Sequence, residues 1–271
     1  MTDIADARNK SIGIFDSGIG GLTVANAIQK SLPNEHLIYF GDTAHLPYGD
    51  KSSDAIRFYS LKISKFLLDQ NCKMIVIACN SASSAAYNTL LDFFEGKTLF
   101  VNVVDPLVEA VTDKGYDNIG VIATKATIRS NIYRDKIKHK MQKANVHSMP
   151  TPLLAPMIEE GFYKGNISHS VIDTYLGREE FKDIDALLLA CTHYPLIKQE
   201  IQAYFEHKVD VLDSTDVVAN AVSTLLTRED LLSPKRTKRN EFYVSDYTQS
   251  FEDTAKVFYG EEIALETANI W

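Results

Sequence analysis

Two cysteines stand at matching places in this chain. Met74–Ile77 leads into Ala78-Cys79-Asn80-Ser81, and Ala186–Leu189 leads into Ala190-Cys191-Thr192-His193. In each, a short apolar run ends in Ala-Cys and a small polar residue follows. That pattern predicts a cysteine between a buried strand and a helix N-terminus. The helix dipole and unpaired N–H groups there favour thiolate, so each thiol is expected below its usual pKa of about 8.5. One such cysteine is a candidate nucleophile. Two, presented by similar surroundings, give a pocket with a thiol on each side. Opposed acid and base suit removal of a proton from one face of a carbon and its return to the other, which inverts a stereocentre. Other cysteine chemistries fit less well. A covalent cysteine enzyme needs a single nucleophile and a histidine base, and disulfide oxidoreductases usually carry Cys-x-x-Cys. Zinc wants four ligands, and no third cysteine or paired histidines stand at ligand spacing, so no metal is expected. Cys72, in Asp69-Gln70-Asn71-Cys72-Lys73, reads as a buried structural thiol.

Further candidates lie just after other apolar runs. Asp16-Ser17-Gly18-Ile19-Gly20-Gly21-Leu22-Thr23 follows the first run. It is not a dinucleotide fingerprint, because Thr23 replaces the third glycine, nor a P-loop, because no Gly-Lys-Ser/Thr follows. Its glycines still let backbone N–H groups approach a carboxylate, and Asp16 could receive an ammonium or orient a thiol. Pro47-Tyr48-Gly49 is turn chemistry. Thr124 and Thr127 could donate to a carboxylate. His193, two residues beyond Cys191, is a candidate general acid. Glu159 and Glu160 are a pair from which the sequence does not choose.

These residues need a scaffold. Ile12–Phe15, His36–Phe40, Met74–Ala78, Leu99–Val104, Ile119–Ile122, Ala186–Ala190 and Val209–Leu212 read as strands buried on both faces. Asp54–Gln70, Asn131–Gln142, Ser168–Leu176, Pro195–Phe205 and Asp216–Leu226 carry helical periodicity. Strand and helix in alternation predict a parallel α/β architecture, whose ligands bind beyond the carboxyl ends of the strands. Ile12–Ser17 also matches Ile119–Thr124, at nearly the separation of the two cysteines. The chain is therefore expected to hold two pseudo-symmetric parallel-sheet α/β domains with the active site between them. The expected division is 1–98 plus 212–271, carrying Cys79, and 99–211, carrying Cys191.

Composition narrows the class. The 271 residues are 45 % hydrophobic and 24 % charged, with a net charge of −8, values of an ordinary globular chain. The acidic balance argues against a nucleic-acid partner, which needs a basic field. Pro234-Lys235-Arg236-Thr237-Lys238-Arg239 is a short basic run and reads as a solvated loop. Apolar runs fall far below the roughly 20 residues of a membrane span, and residues 1–11 are too polar for a signal peptide. Three cysteines make no disulfide framework, which points to reduced thiols and a cytoplasmic location.

Taken together, four segments resemble the hallmark motifs of glutamate racemases. They are Gly13–Val24, Tyr39–Gly49, Ile77–Ser83 and Ala190–Leu196, and the likeness extends to Phe242-Tyr243-Val244-Ser245-Asp246. The resemblance implies a cofactor-independent enzyme that interconverts L- and D-glutamate for peptidoglycan synthesis. It implies catalytic roles for Cys79 and Cys191, with Asp16 assisting the first and His193 the second. Asp16, Ser17, Tyr48, Gly49, Asn80, Ser81, Thr124, Thr192 and His193 are the implied substrate contacts. Thr127 and a helping glutamate near Glu159-Glu160 join them, and a homodimer is implied. Ser81 stands where threonine is frequent in the family and keeps the hydroxyl. Two other functions suit the residues less well. One is racemisation of aspartate or another amino acid; the other is a non-catalytic amino-acid sensor, which would not need both thiols.

Overall fold

The computed structural model describes residues 7–271. The opening stretch read above as too polar for a signal peptide lies outside that range as far as residue 6. Among the described residues, ten strands form two parallel sheets. They are β1 (Ile12–Asp16), β2 (Leu37–Gly41), β3 (Met74–Ile77), β4 (Leu99–Asn102), β5 (Asn118–Ala123), β6 (Asn145–Pro150), β7 (Ala186–Ala190), β8 (Asp210–Asp213), β9 (Glu241–Val244) and β10 (Glu266–Thr267). The first sheet runs β10-β9-β2-β1-β3-β4 and the second β6-β5-β7-β8. Every strand pair is parallel. The central strands are entirely buried, which is why their sequences are apolar runs rich in Ile, Val and Leu with no polar alternation.

The two sheets repeat one wiring. β2-β1-β3-β4 in the first matches β6-β5-β7-β8 in the second. In each, the first strand has its successor on one side and the third strand on the other. The order therefore reverses between β1 and β3, and between β5 and β7. Such switch points are where open α/β sheets bind ligands. Asp16 ends β1 and Cys79 lies just beyond β3; Thr124 and Cys191 hold the equivalent places after β5 and β7.

The sheets divide the chain elsewhere than at 98/99 and 211/212. β4 pairs with β3 from Met74↔Leu99 to Ile77↔Asn102, so it belongs to the first sheet. The physical reason is the unbroken strand–helix–strand unit. The Asn80–Phe93 helix returns the chain beside β3, as a parallel crossover must. β8 pairs with β7 over its whole length, so residues 212 and 213 belong to the second sheet. The chain crosses between sheets through two helices, Val104–Lys114 and Thr215–Arg228. One apolar cluster runs through both halves, from Ile12, Leu22 and Val76 to Leu189, Tyr194, Val218 and Val222. Among the described residues, no helix is long and apolar enough to cross a membrane.

At the amino ends of the first sheet's strands lies a buried ion pair. Lys73 Nζ sits 2.6 Å from Glu35 Oε2, with both side chains at most 2 % exposed. Lys73 also donates to the Arg8 and Leu231 carbonyls, and Glu35 accepts from the Ser233 backbone N–H and hydroxyl. The pair thus ties three remote segments together. Lys73→Met would leave the carboxylate buried without its cation. The expected cost is about 3 kcal/mol of unfolding free energy, the low end for a broken buried pair because Ser233 still donates. Urea denaturation measures it; a change under about 0.5 kcal/mol would remove the pair from the set of stabilising contacts.

Candidate active site

Cys79 is the N-cap of the Asn80–Phe93 helix, and its Sγ accepts from the Ala82 N–H at 3.4 Å. The thiol also donates to Ser17 Oγ at 3.6 Å. Asp16 lies behind it, fully buried. The Gly18 and Gly21 N–H groups each donate to Asp16 Oδ2 at 3.1 Å, while Oδ1 has no partner. The helix terminus does pull the Cys79 pKa down, as the sequence implies. Burial and the neighbouring Asp16 charge outweigh it, and the thiol is pushed up to about 12. Asp16 itself is raised by its burial. The first thiol is therefore neutral in the free protein, with a carboxylate of heightened basicity behind it.

Cys191 has different surroundings. The expected α-helix does not start after it. Residues Tyr194–Ile197 form a 3-10 turn with Pro195 in it, and the α-helix begins only at Lys198. In place of helix N–H groups, Cys191 Sγ has His193 Nδ1 at 3.7 Å. His193 Nε2 in turn donates to Glu159 Oε1 at 2.7 Å. Burial disfavours the imidazolium, but the contacts with Cys191 and Glu159 prevail and raise His193 to about 10. A protonated histidine thus stands beside the second thiol. Glu159, not Glu160, is the carboxylate that reaches it: Glu159 closes the Leu154–Glu159 helix and lines the cavity, whereas Glu160 is the residue just past that helix.

The loop after β2 is held by one buried carboxylate. Asp42 accepts from Tyr48 Oη at 2.6 Å, His45 Nδ1 at 2.9 Å and Ser245 Oγ at 2.8 Å. Ser245 follows β9, so the far end of the chain fixes the Tyr48-Gly49 wall of the site. The halves touch closely around it. A Cβ on Gly20 would fall 2.6 Å from both His193 Nδ1 and Thr192 Oγ1, and one on Gly49 would fall 2.9 Å from Thr124 Cβ. Ser81 Oγ and Thr124 Oγ1 share a hydrogen bond of 2.8 Å across the gap, with Thr127 Oγ1 3.2 Å from Thr124. Thr23 Oγ1 donates to the Thr192 carbonyl at 3.1 Å.

Between the halves lies a cavity of about 280 Å³. That is the small end of ligand-site volumes and suits a metabolite of amino-acid size. Ser17, Tyr48, Gly49, Cys79, Asn80 and Ser81 line it from the first half; Thr124, Glu159, Cys191, Thr192 and His193 line it from the second. Thus all the anticipated site residues except Asp16 and Thr127 share one cavity. Asp16 stands behind the wall rather than in it. Thr127 is buried beneath Thr124 and Cys72 lies far off in the sheet core beside Leu67 and Gly13. Leu46, Pro47, Ala155 and Pro156 also line the cavity and carry no chemical signal in the sequence. Among the described residues no cluster of three or more metal-binding side chains forms. A larger, more open groove of about 620 Å³ lies along the two crossing helices and contains neither cysteine.

Comparison with known proteins gives this geometry a lineage. The Asp/Glu/Hydantoin racemase family matches residues 22–222. The chain belongs to that racemase family. It is 40 % identical to the glutamate racemase of Geobacter metallireducens over 258 residues, covering 94 % of each chain. Its structure superposes on the glutamate racemase of Francisella tularensis subsp. tularensis SCHU S4, solved in complex with D-glutamate, with a TM-score of 0.91. There the identity is 38 %, over 97 % of this chain and 98 % of the other. Aspartate racemase of Picrophilus torridus shares the fold at a TM-score of 0.57 and 22 % identity, over 84 % and 96 % of the two chains.

Two charge substitutions separate the roles within this racemase site. Glu159→Gln removes one support of the His193 charge, so its ring should titrate below the present value of about 10. NMR of the labelled imidazole reads this, and an unmoved midpoint would detach Glu159 from His193. Asp16→Asn removes the like charge behind Cys79. In a Cys72→Ala, Cys191→Ala background, iodoacetamide should then alkylate Cys79 faster at a given pH, with a midpoint below about 12. A slower reaction would refute electrostatic control of the thiol by Asp16.

Proposed function

We propose that this protein racemises glutamate by a two-base mechanism in which Cys79 and Cys191 serve opposite faces of the substrate Cα. The observation that carries it is the presence of both thiols on one small cavity, one from each half. One cysteine, as thiolate, takes the Cα proton. The other, as thiol, delivers its own proton to the opposite face of the carbanion. Each turnover leaves the two sulfurs with exchanged protonation states. Cys79 serves D-glutamate and Cys191 serves L-glutamate.

The surroundings supply what weakly acidic Cα–H chemistry demands. Asp16 holds Cys79 neutral until a substrate ammonium enters nearby and offsets its charge; the repulsion that opposes loss of the thiol proton is then relieved. His193, charged and fixed by Glu159, can hand a proton to Cys191 or hold its thiolate. Asn80, Ser81, Thr124 and Thr192 offer donors for the carboxylates, with Ser17, Tyr48 and Gly49 completing the cage. Positioning and exclusion of water do the rest, and no cofactor is invoked. Movement of the halves admits substrate. The product, D-glutamate, supplies peptidoglycan synthesis. The enzyme acts as a homodimer in the cytoplasm, whose reducing environment keeps both thiols free.

Glutamate is favoured over aspartate because relatives 38–40 % identical over nearly the whole chain are named glutamate racemases, whereas the aspartate racemase of Picrophilus torridus is 22 % identical. Polarimetry with glutamate, aspartate and alanine decides the substrate; turnover of aspartate alone would overturn the choice, and binding without turnover would indicate a sensor. In heavy water, the product enantiomer should carry deuterium at Cα in both directions. Full retention of the original hydrogen would sink the two-base scheme. Cys79→Ala and Cys191→Ala should each lower racemisation by at least about 10³-fold; near-wild-type rates in either would remove that residue from the mechanism.

A further inference from the structure

Asn80 is the first residue of its helix and lines the cavity. Its two amide atoms have unequal fates. Oδ1 accepts a hydrogen bond of 2.6 Å from the Tyr133 hydroxyl, and Nδ2 has no partner. Of the described buried side-chain atoms without a partner, Asn80 Nδ2 is the one that belongs to a cavity-lining residue. A buried N–H donor left unpaired is destabilising, so its persistence points to a ligand that accepts from it.

Tyr133 does not line the cavity. It is buried on the Ile132–Lys140 helix of the opposite half and reaches across to Asn80. We propose that Tyr133 is a positioning residue: by giving its proton to Asn80 Oδ1, it sets the amide so that Nδ2 faces the cavity as donor to a substrate carboxylate. An amide is free to present either edge, and the wrong edge would set a carbonyl oxygen against an anion. With the amide reversed, the Tyr133 proton would have no acceptor among the described residues. The phenol also stays protonated, because burial, Asp105 and Cys191 all push its pKa up. The donor is therefore present at every working pH. Because Tyr133 and Asn80 belong to different halves, the amide is set only when the halves are together.

This assignment rests on the glutamate racemisation proposed above, and its test keeps the two apart. Wild type, Tyr133→Phe, Asn80→Ala and the double variant are assayed with both enantiomers. Tyr133→Phe should raise KM for glutamate about tenfold with kcat within about threefold, the scale of one misdirected hydrogen bond. Asn80→Ala should raise KM at least as much, and adding Tyr133→Phe to it should do nothing further. Should Tyr133→Phe fail to fold, Asn80→Ala with an unchanged KM would alone overturn the proposal. Multiplying KM effects in the double variant would also overturn it, since Tyr133 would then act independently of Asn80. Absence of racemisation in the wild type would instead refute the function itself.

Discussion

Gly20 lies so near Thr192 and His193 that no side chain fits between them. This contact between the carboxyl ends of two parallel sheets is the constraint on which the site depends. A single sheet offers its ligand one switch point and thus one side. Two sheets, wired alike and set end to end, offer two sides across one small gap. The hydrogen bonds from Ser81 to Thr124 and from Thr23 to Thr192 span the same boundary. The apolar cluster shared by both halves keeps them joined behind it.

Repetition of the wiring does not extend to the chemistry. Cys79 caps a helix and has a buried carboxylate behind it, whereas Cys191 precedes a 3-10 turn and has a charged imidazole beside it. The first thiol is held neutral by burial and repulsion. The second has a cation as its immediate partner. One fold repeated twice has thus been given opposite local charges. That also bears on how an acidic protein can hold an anionic amino acid: its cavity carries the balanced pair of His193 and Glu159 with a set of hydroxyl and amide donors, and most of the net charge of −8 resides elsewhere.

Much of this was legible in the sequence because parallel strands covered on both faces leave uninterrupted apolar runs. β1, β3 and β7 could be read from that signal to within a residue or so. β6 could not, since it is a half-exposed edge strand in which polar and apolar residues mix, Asn145–Pro150. The run starting at Leu99 misled the domain division, because it passes from the first sheet's edge strand directly into a crossing helix. Cys79 and Cys191 announced themselves by their place after strands. The direction of the Cys79 shift did not follow, because burial is a tertiary quantity that outweighs the helix terminus. The choice of Glu159 needed the helix phase, and Tyr133 needed the contact across the halves; neither leaves a local pattern.

The unlike partners of the two thiols carry a thermodynamic consequence. Enantiomers have equal free energies in water, so racemisation has an equilibrium constant of one. Whatever Asp16 does on one side and His193 on the other, kcat/KM must come out the same in both directions. The asymmetry can appear only as an exchange between turnover and saturation. The enantiomer that saturates the enzyme at the lower concentration must also be the one turned over more slowly. Two differently built half-sites therefore tune which mirror image occupies the enzyme, and leave untouched the composition of the pool it produces.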